Sequence, residues 1–115
     1  MFDAEVSVDE EVRIRVTRGY DRLDAEVPGW DRGKDPDTLH VADPGNCPVA
    51  LAHGGSYTAY RDRVRLTALE AHTHAFYQIP QDPADEDIVG YERLTTAWRR
   101  EMRHRQAKRY RSIAA

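Results

Sequence analysis

Cys47 is the one cysteine in the 115 residues, so no intrachain disulfide can staple the fold and a cysteine-based zinc site lacks ligands. No apolar run approaches the roughly 20 residues that a helix needs to cross a bilayer. The opening Met1-Phe2-Asp3-Ala4-Glu5 has neither the basic flank nor the apolar stretch of a secretory leader. Together these absences lead to the expectation of a cytoplasmic protein. A Gly-rich phosphate loop, a nucleophile elbow and an HExxH helix are missing too, and no internal repeat is present. With none of these constellations, the sequence leads us to expect neither an enzyme nor a bound cofactor or metal.

Lysine is almost absent as well. Of seventeen Lys+Arg only Lys34 and Lys108 are lysine. Arginine offers carboxylates and phosphates a two-pronged fork that lysine lacks, so the bias is compatible with anionic partners. The chain length fits one domain with a single modest core. A hydrophobic fraction of 40% at a mean hydropathy of −0.77 is lean, but two tryptophans and six tyrosines supply large apolar surfaces.

Ser7 followed by Glu10 reads as a capping box, and Val8, Val12, Val16, Tyr20, Leu23 and Val27 then fall in a stripe about 120° wide on a helical wheel. The spacing predicts a helix over about 8–26. Val12, Ile14 and Val16 also alternate with polar residues, as in a half-buried strand, but the cap and the continuation through Leu23 fit the helix. Val27-Pro28-Gly29-Trp30 stops it, and an Asp/Pro/Gly-rich loop follows to Gly45. Trp30, Leu39 and Val41 are expected to pin that loop, whereas Asp31, Asp35 and Asp37 lack the glycine and distal glutamate of a calcium loop and read as turn chemistry.

Asn46 is placed to cap a short helix through Pro48, Val49 and Leu51 that Gly54-Gly55 ends, with Cys47 at its start. Ser56 is placed to cap the next. There Tyr57, Tyr60, Val64 and Ala68 form one line and Leu66, Leu69, Thr73 and Phe76 another, which predicts either burial from two sides or a break near Arg65. His72 and His74 would point about 200° apart on a helix and so do not make a metal pair.

The most firmly written element is the last. Asp82 as cap, Pro83 at the first position and Asp85 open a helix, and Ile88, Tyr91, Leu94, Trp98 and Met102 recur every three or four residues along one face. The same stripe then meets Arg105 and Arg109. We therefore expect the body to end near residue 102, with a basic helical extension over 103–115 whose stretch to Arg111 would stand clear by roughly 13 Å.

Residues 99–115 hold Arg99, Arg100, Arg103, Arg105, Lys108, Arg109 and Arg111 against Glu101 alone, a net charge of +6, while residues 1–98 carry −9. Helix-end electrostatics asks for one or two such cations. Seven make these residues the candidate binding surface, for an acidic protein face or for phosphate.

The segments Thr17-Arg18-Gly19-Tyr20 through Val27-Pro28-Gly29-Trp30, Asp37-Thr38-Leu39, Asn46-Cys47-Pro48-Val49-Ala50-Leu51, and Tyr91-Glu92-Arg93-Leu94-Thr95-Thr96-Ala97-Trp98-Arg99 occur in an order that resembles a group of small uncharacterised proteins of actinobacteria and their bacteriophages. The likeness implies such an origin and supports helix over strand in residues 16–27. It carries no assigned activity, and Val49-Ala50-Leu51-Ala52 stands where that group has a Leu-Gly-Gln run.

The expectation is therefore a small all-α single domain of four or five helices, with one long Asp/Pro/Gly-rich loop and a long basic C-terminal helix. Val16, Tyr20, Leu23, Trp30, Leu51, Tyr60, Leu69, Leu94, Trp98 and Met102 are its expected core. The expected function is that of a non-catalytic accessory protein acting through a protein partner. A nucleic-acid binder using the basic helix, with Tyr110 available to stack, is the alternative. A reactive Cys47 is the weakest reading, and self-association through body and tail of opposite sign stays open.

Overall fold

The computed structural model describes residues 8–76 and 86–114. Among these residues the chain forms α1 (Val8–Glu26), a 3-10 turn (Pro36–Thr38), α2 (Pro48–His53), α3 (Tyr57–Val64), α4 (Ala68–Thr73) and α5 (Glu86–Ala114), with no strand. The expectation of a small all-α fold holds. The proposed caps at Ser7 and Asp82, with Pro83 and Asp85, lie outside the described residues.

The alternation around Val12 and Val16 is helical after all. Asp9, Glu10 and Glu11 sit in the first turn of α1, where the helix dipole favours negative charge. Val12, Val16, Tyr20 and Leu23 are buried along one face, and removing each such side chain from water is worth about 1.5–3 kcal/mol. Gly19 allows α1 to press closely on its neighbours, because a Cβ there would lie 2.0 Å from the His74 carbonyl oxygen and 2.9 Å from the Trp98 ring. Past Glu26, Gly29 takes φ 72°, and its amide donates to Asp24 Oδ1 at 3.1 Å. Trp30 folds back onto Tyr20 with ring centroids 4.9 Å apart.

α5 crosses α1 and carries the largest core residue, Trp98, which stacks near Tyr20 and Phe76 at 5.7 and 6.2 Å. Its indole N–H donates to the Ala75 carbonyl at 2.9 Å, so the buried polar atom is satisfied. Of the predicted stripe, Leu94 and Met102 are fully buried like Trp98, Tyr91 is half-buried and the Ile88 side chain lies outside those described, and Trp30, Leu39 and Val41 do pin the loop.

The Asn46 cap and the core places of Leu69 and Leu51 change, and one open choice is decided. Asn46 does not cap α2. Its side-chain amide donates instead to Asp43 at 2.8 Å, and Cys47 is the N-cap without a side-chain bond. Of the two alternatives after Ser56, burial from two sides or a break near Arg65, the chain takes the break. Arg65 adopts φ 55° and ends α3, and Thr67 opens α4 with a full capping box to Glu70. That break changes the phase of the second apolar line. Leu66 is buried, whereas Leu69 is 68% exposed and is not part of the core. Leu51 is only half-buried against the cluster.

Candidate interaction surface on the last helix

The inward face of α5 beyond Met102 is held by the loop that follows α1. Arg99 donates from Nε to the Leu39 carbonyl at 2.9 Å and from Nη2 to the Asp37 carbonyl at 3.0 Å. Arg103 pairs with the Asp37 carboxylate. Gln106 donates from Nε2 to the carbonyls of Asp31 and Lys34 at 2.8 and 2.9 Å. Arg109 reaches Asp31 Oδ1 at 2.6 Å, while Asp31 itself is fully buried and accepts a second hydrogen bond from the Tyr20 hydroxyl.

Arg105 lies over the Tyr20 ring at 4.2 Å and pairs with Asp21 at 2.9 Å and Glu101 at 2.7 Å. Burial works against its charge, but Glu101 and Asp21 outweigh that and raise its pKa. Burial, the Asp31 hydrogen bond and the Asp31 charge together drive the Tyr20 phenol well above its ordinary value.

The helix therefore does not stand clear of the body at residue 102. Its contacts run on through Arg109 because the loop, lacking further apolar surface, offers carbonyls and a buried carboxylate to the same stripe. Of the seven candidate cations, Arg99, Arg103, Arg105 and Arg109 are engaged by groups of the protein itself.

Arg100, Lys108 and Arg111 are different. All three are exposed, and none has a hydrogen bond or ion pair with another described residue. At 100° per residue they fall, together with His104 and Arg93, in a sector about 80° wide. Arg93 has only a long, exposed contact with Asp9 at 4.0 Å. Along the same side, α1 and α5 frame a cleft of about 690 Å³ with Val12, Val16 and Ala97 in its lining. Its rim combines Asp9, Glu10 and Arg13 from α1 with Glu92, Arg93 and Arg100 from α5.

A second polar cluster joins the end of α1 to α2 and α3. Glu26 accepts from the Tyr60 hydroxyl at 3.0 Å and from Arg22 Nε at 3.3 Å, and lies 3.1 Å from His53 Nε2. Arg63 approaches the other ring nitrogen of His53 at 3.4 Å. Burial raises the Glu26 carboxyl, but His53, Tyr60 and Arg22 outweigh it and hold the group below its usual range. Burial and the Glu26 hydrogen bond push Tyr60 up to about 12. Each member satisfies another, so the cluster acts as a fastening between helices.

Cys47 is 2% exposed, and its thiol pKa is raised by burial, which disfavours the thiolate a nucleophile requires. Its Sγ lies 4.0 Å from the Pro44 carbonyl. His72 faces Arg15, whose Nε donates to the His72 carbonyl at 2.6 Å, whereas His74 turns its Nδ1 to the Glu70 carbonyl at 2.7 Å. The two histidines do not converge. Asp31, Asp35 and Asp37 also separate: Asp31 turns inward, Asp35 caps the 3-10 turn and Asp37 meets Arg103.

The buried role of Asp31 and the Glu26 cluster had no signal in the sequence, since both rest on partners distant along the chain. The fold and this surface define a small all-α domain with a charged helical flank. In comparisons with family models, curated proteins and solved structures, the chain matches none.

Proposed function

We propose that this is a non-catalytic accessory protein that works by binding a second protein, presenting the outward cationic face of α5 to an acidic surface. The observation that carries this reading is the division of the basic helix. Arg99, Arg103 and Arg109 meet the loop and Arg105 meets Asp21 and Glu101, while Arg100, Lys108 and Arg111 share one exposed face without a partner among the described residues. Exposed cations on a rigid helix steer an acidic partner and set its orientation. The motif order Pro28-Gly29-Trp30, Cys47 and Leu94-Thr95-Thr96-Ala97-Trp98 supports an actinobacterial or phage setting for that role.

Nucleic-acid binding is the weaker reading. Three unpaired cations would give a salt slope of at most about 2.7, and residues 1–98 carry a net −9 that repels the same backbone.

The test compares the protein with a Lys108→Glu/Arg111→Glu variant, each immobilised and exposed to an actinobacterial lysate. The expected result is a protein retained by the first, released by salt and lost with the second. Equal retention by both, or none by either, refutes the reading. Low-salt binding of duplex DNA that the same variant abolishes would replace it with the nucleic-acid one.

A further inference from the structure

The cleft between α1 and α5 has a charge pattern that the cationic face does not explain. Six rim residues, Asp9, Glu10, Arg13, Glu92, Arg93 and Arg100, are all exposed. They comprise three carboxylates and three guanidiniums. Glu101, also in the lining, is turned to Arg105. A strongly acidic partner would gain Arg13, Arg93 and Arg100 but would meet Asp9, Glu10 and Glu92, and a basic partner would meet the reverse. A surface with both signs in equal number is complementary to itself where a two-fold axis sets each charge opposite one of the other sign.

The order of charges along α5 gives that self-complementarity a register. Glu92 and Arg100 are exposed, have no ion pair with another described residue and lie four residues to either side of Thr96. Thr96 is exposed and small, next to half-buried Ala97. In an antiparallel crossing of two such helices about a two-fold axis at Thr96, residue 92 of each copy lies opposite residue 100 of the other. The contact is isologous, so every favourable pair occurs twice.

The existing rim pairs do not oppose this exchange. Arg13–Glu10 at 3.8 Å and Arg93–Asp9 at 4.0 Å are long and solvent-exposed, and pairs of that kind contribute little where they are.

We infer that the cleft is the seat of a second copy of this chain, with α5 packed antiparallel on α5 about Thr96 and Glu92 paired with Arg100 of the partner subunit. The inference shares Arg100 with the acidic-partner reading but uses neither Lys108 nor Arg111, the two cations that reading's variant reverses. The antiparallel arrangement carries Lys108 and Arg111 of the two copies away from the axis in opposite directions, leaving both available.

The experiment is sedimentation velocity of the full chain across a concentration series, with charge variants and a positional cross-link. The wild type is expected to show a concentration-dependent monomer–dimer equilibrium. Glu92→Arg and Arg100→Glu, each reversing two cross-interface contacts, are expected to weaken the dimer about tenfold, and the double variant Glu92→Arg/Arg100→Glu to recover most of that loss. Under oxidised glutathione, Thr96→Cys should give a disulfide-linked dimer and Lys108→Cys should not, with buried Cys47 inert in both.

A monomer at every concentration overturns the proposal. So does a dimer that is indifferent to the charge variants, or one that cross-links equally well through Lys108→Cys. Because Glu92, Thr96, Arg100 and Lys108 are exposed, these substitutions leave the core intact, and a circular dichroism melt of each variant verifies it.

Discussion

Replacing Arg109 by alanine should damage this fold far more than the loss of an exposed cation from the same helix would. Asp31 is fully buried and has two partners, the Tyr20 hydroxyl and the Arg109 guanidinium at 2.6 Å. Arg109→Ala leaves a carboxylate away from water with only the phenol to stabilise it. Breaking a buried pair from one side costs about 3–5 kcal/mol, and the remaining phenol hydrogen bond with the partial exposure of Arg109 argues for the lower end, about 3 kcal/mol.

A domain of this length holds about 6–17 kcal/mol in all, so a large share of its stability is at stake. In urea followed by far-ultraviolet circular dichroism, the midpoint should fall by about 1–2 M at an unchanged slope. Asp31→Asn, which removes the charge rather than stranding it, should cost less. The double variant should return a coupling of about 2 kcal/mol, as expected for groups in direct contact. Lys108→Ala and Arg111→Ala supply the comparison, and each should stay within about 0.5 kcal/mol of wild type. An Arg109→Ala chain as stable as Lys108→Ala would refute the account of the inner face of α5.

Two further outcomes follow from geometry and from titration. Gly19→Ala places a methyl group 2.0 Å from the His74 carbonyl oxygen, a backbone atom that cannot swing aside, so stability should fall by about 3 kcal/mol or more. A melting temperature within a couple of degrees of wild type would show that the approach of α1 to that turn is looser than described. The Tyr60 phenol, pushed up to about 12 by burial and Glu26, has a folded pKa above the ordinary tyrosine value of about 10. Its contribution is then complete below about pH 10 and is lost as pH rises through 12; Tyr20 is shifted in the same direction. Alkaline unfolding should coincide with phenolate absorbance, and Tyr60→Phe should flatten part of that limb. Phenolate formation well before loss of helix would contradict it.

What was legible in the sequence was local. The period of Val12, Val16, Tyr20 and Leu23, the Pro28-Gly29 stop, the Ser56 cap and the stripe through Trp98 and Met102 each announce themselves within a few residues, and the structure reproduces them. Arg65 shows where local signals divide, since two apolar lines at different phases fit a helix buried from two sides as well as a break, and the left-handed backbone at Arg65 decides for the break. Asn46 had two local options, a helix cap and a turn, and satisfied the turn with Asp43.

The inner contacts of the basic helix were not legible. An Asp/Pro/Gly-rich composition reads as solvated turn chemistry whichever way a given carboxylate points. Nothing at position 31 marks it as the residue that meets position 109. The charge asymmetry was visible, but four of the seven cations meet groups of the protein itself, and Arg100, Lys108 and Arg111 are the ones that face outward without a partner among the described residues.

The Asp31–Arg109 contact joins residues 78 positions apart, and this has a bearing on biosynthesis. A ribosome releases the Trp30-Asp31 turn long before it has made the residue that completes it. Until residue 109 has been made and released as well, the nascent chain carries an acid with no counterion at the place where its core must close. A break in synthesis before residue 109, or a protease that cuts α5 ahead of Arg109, would withdraw the piece that lets the turn after α1 become dry.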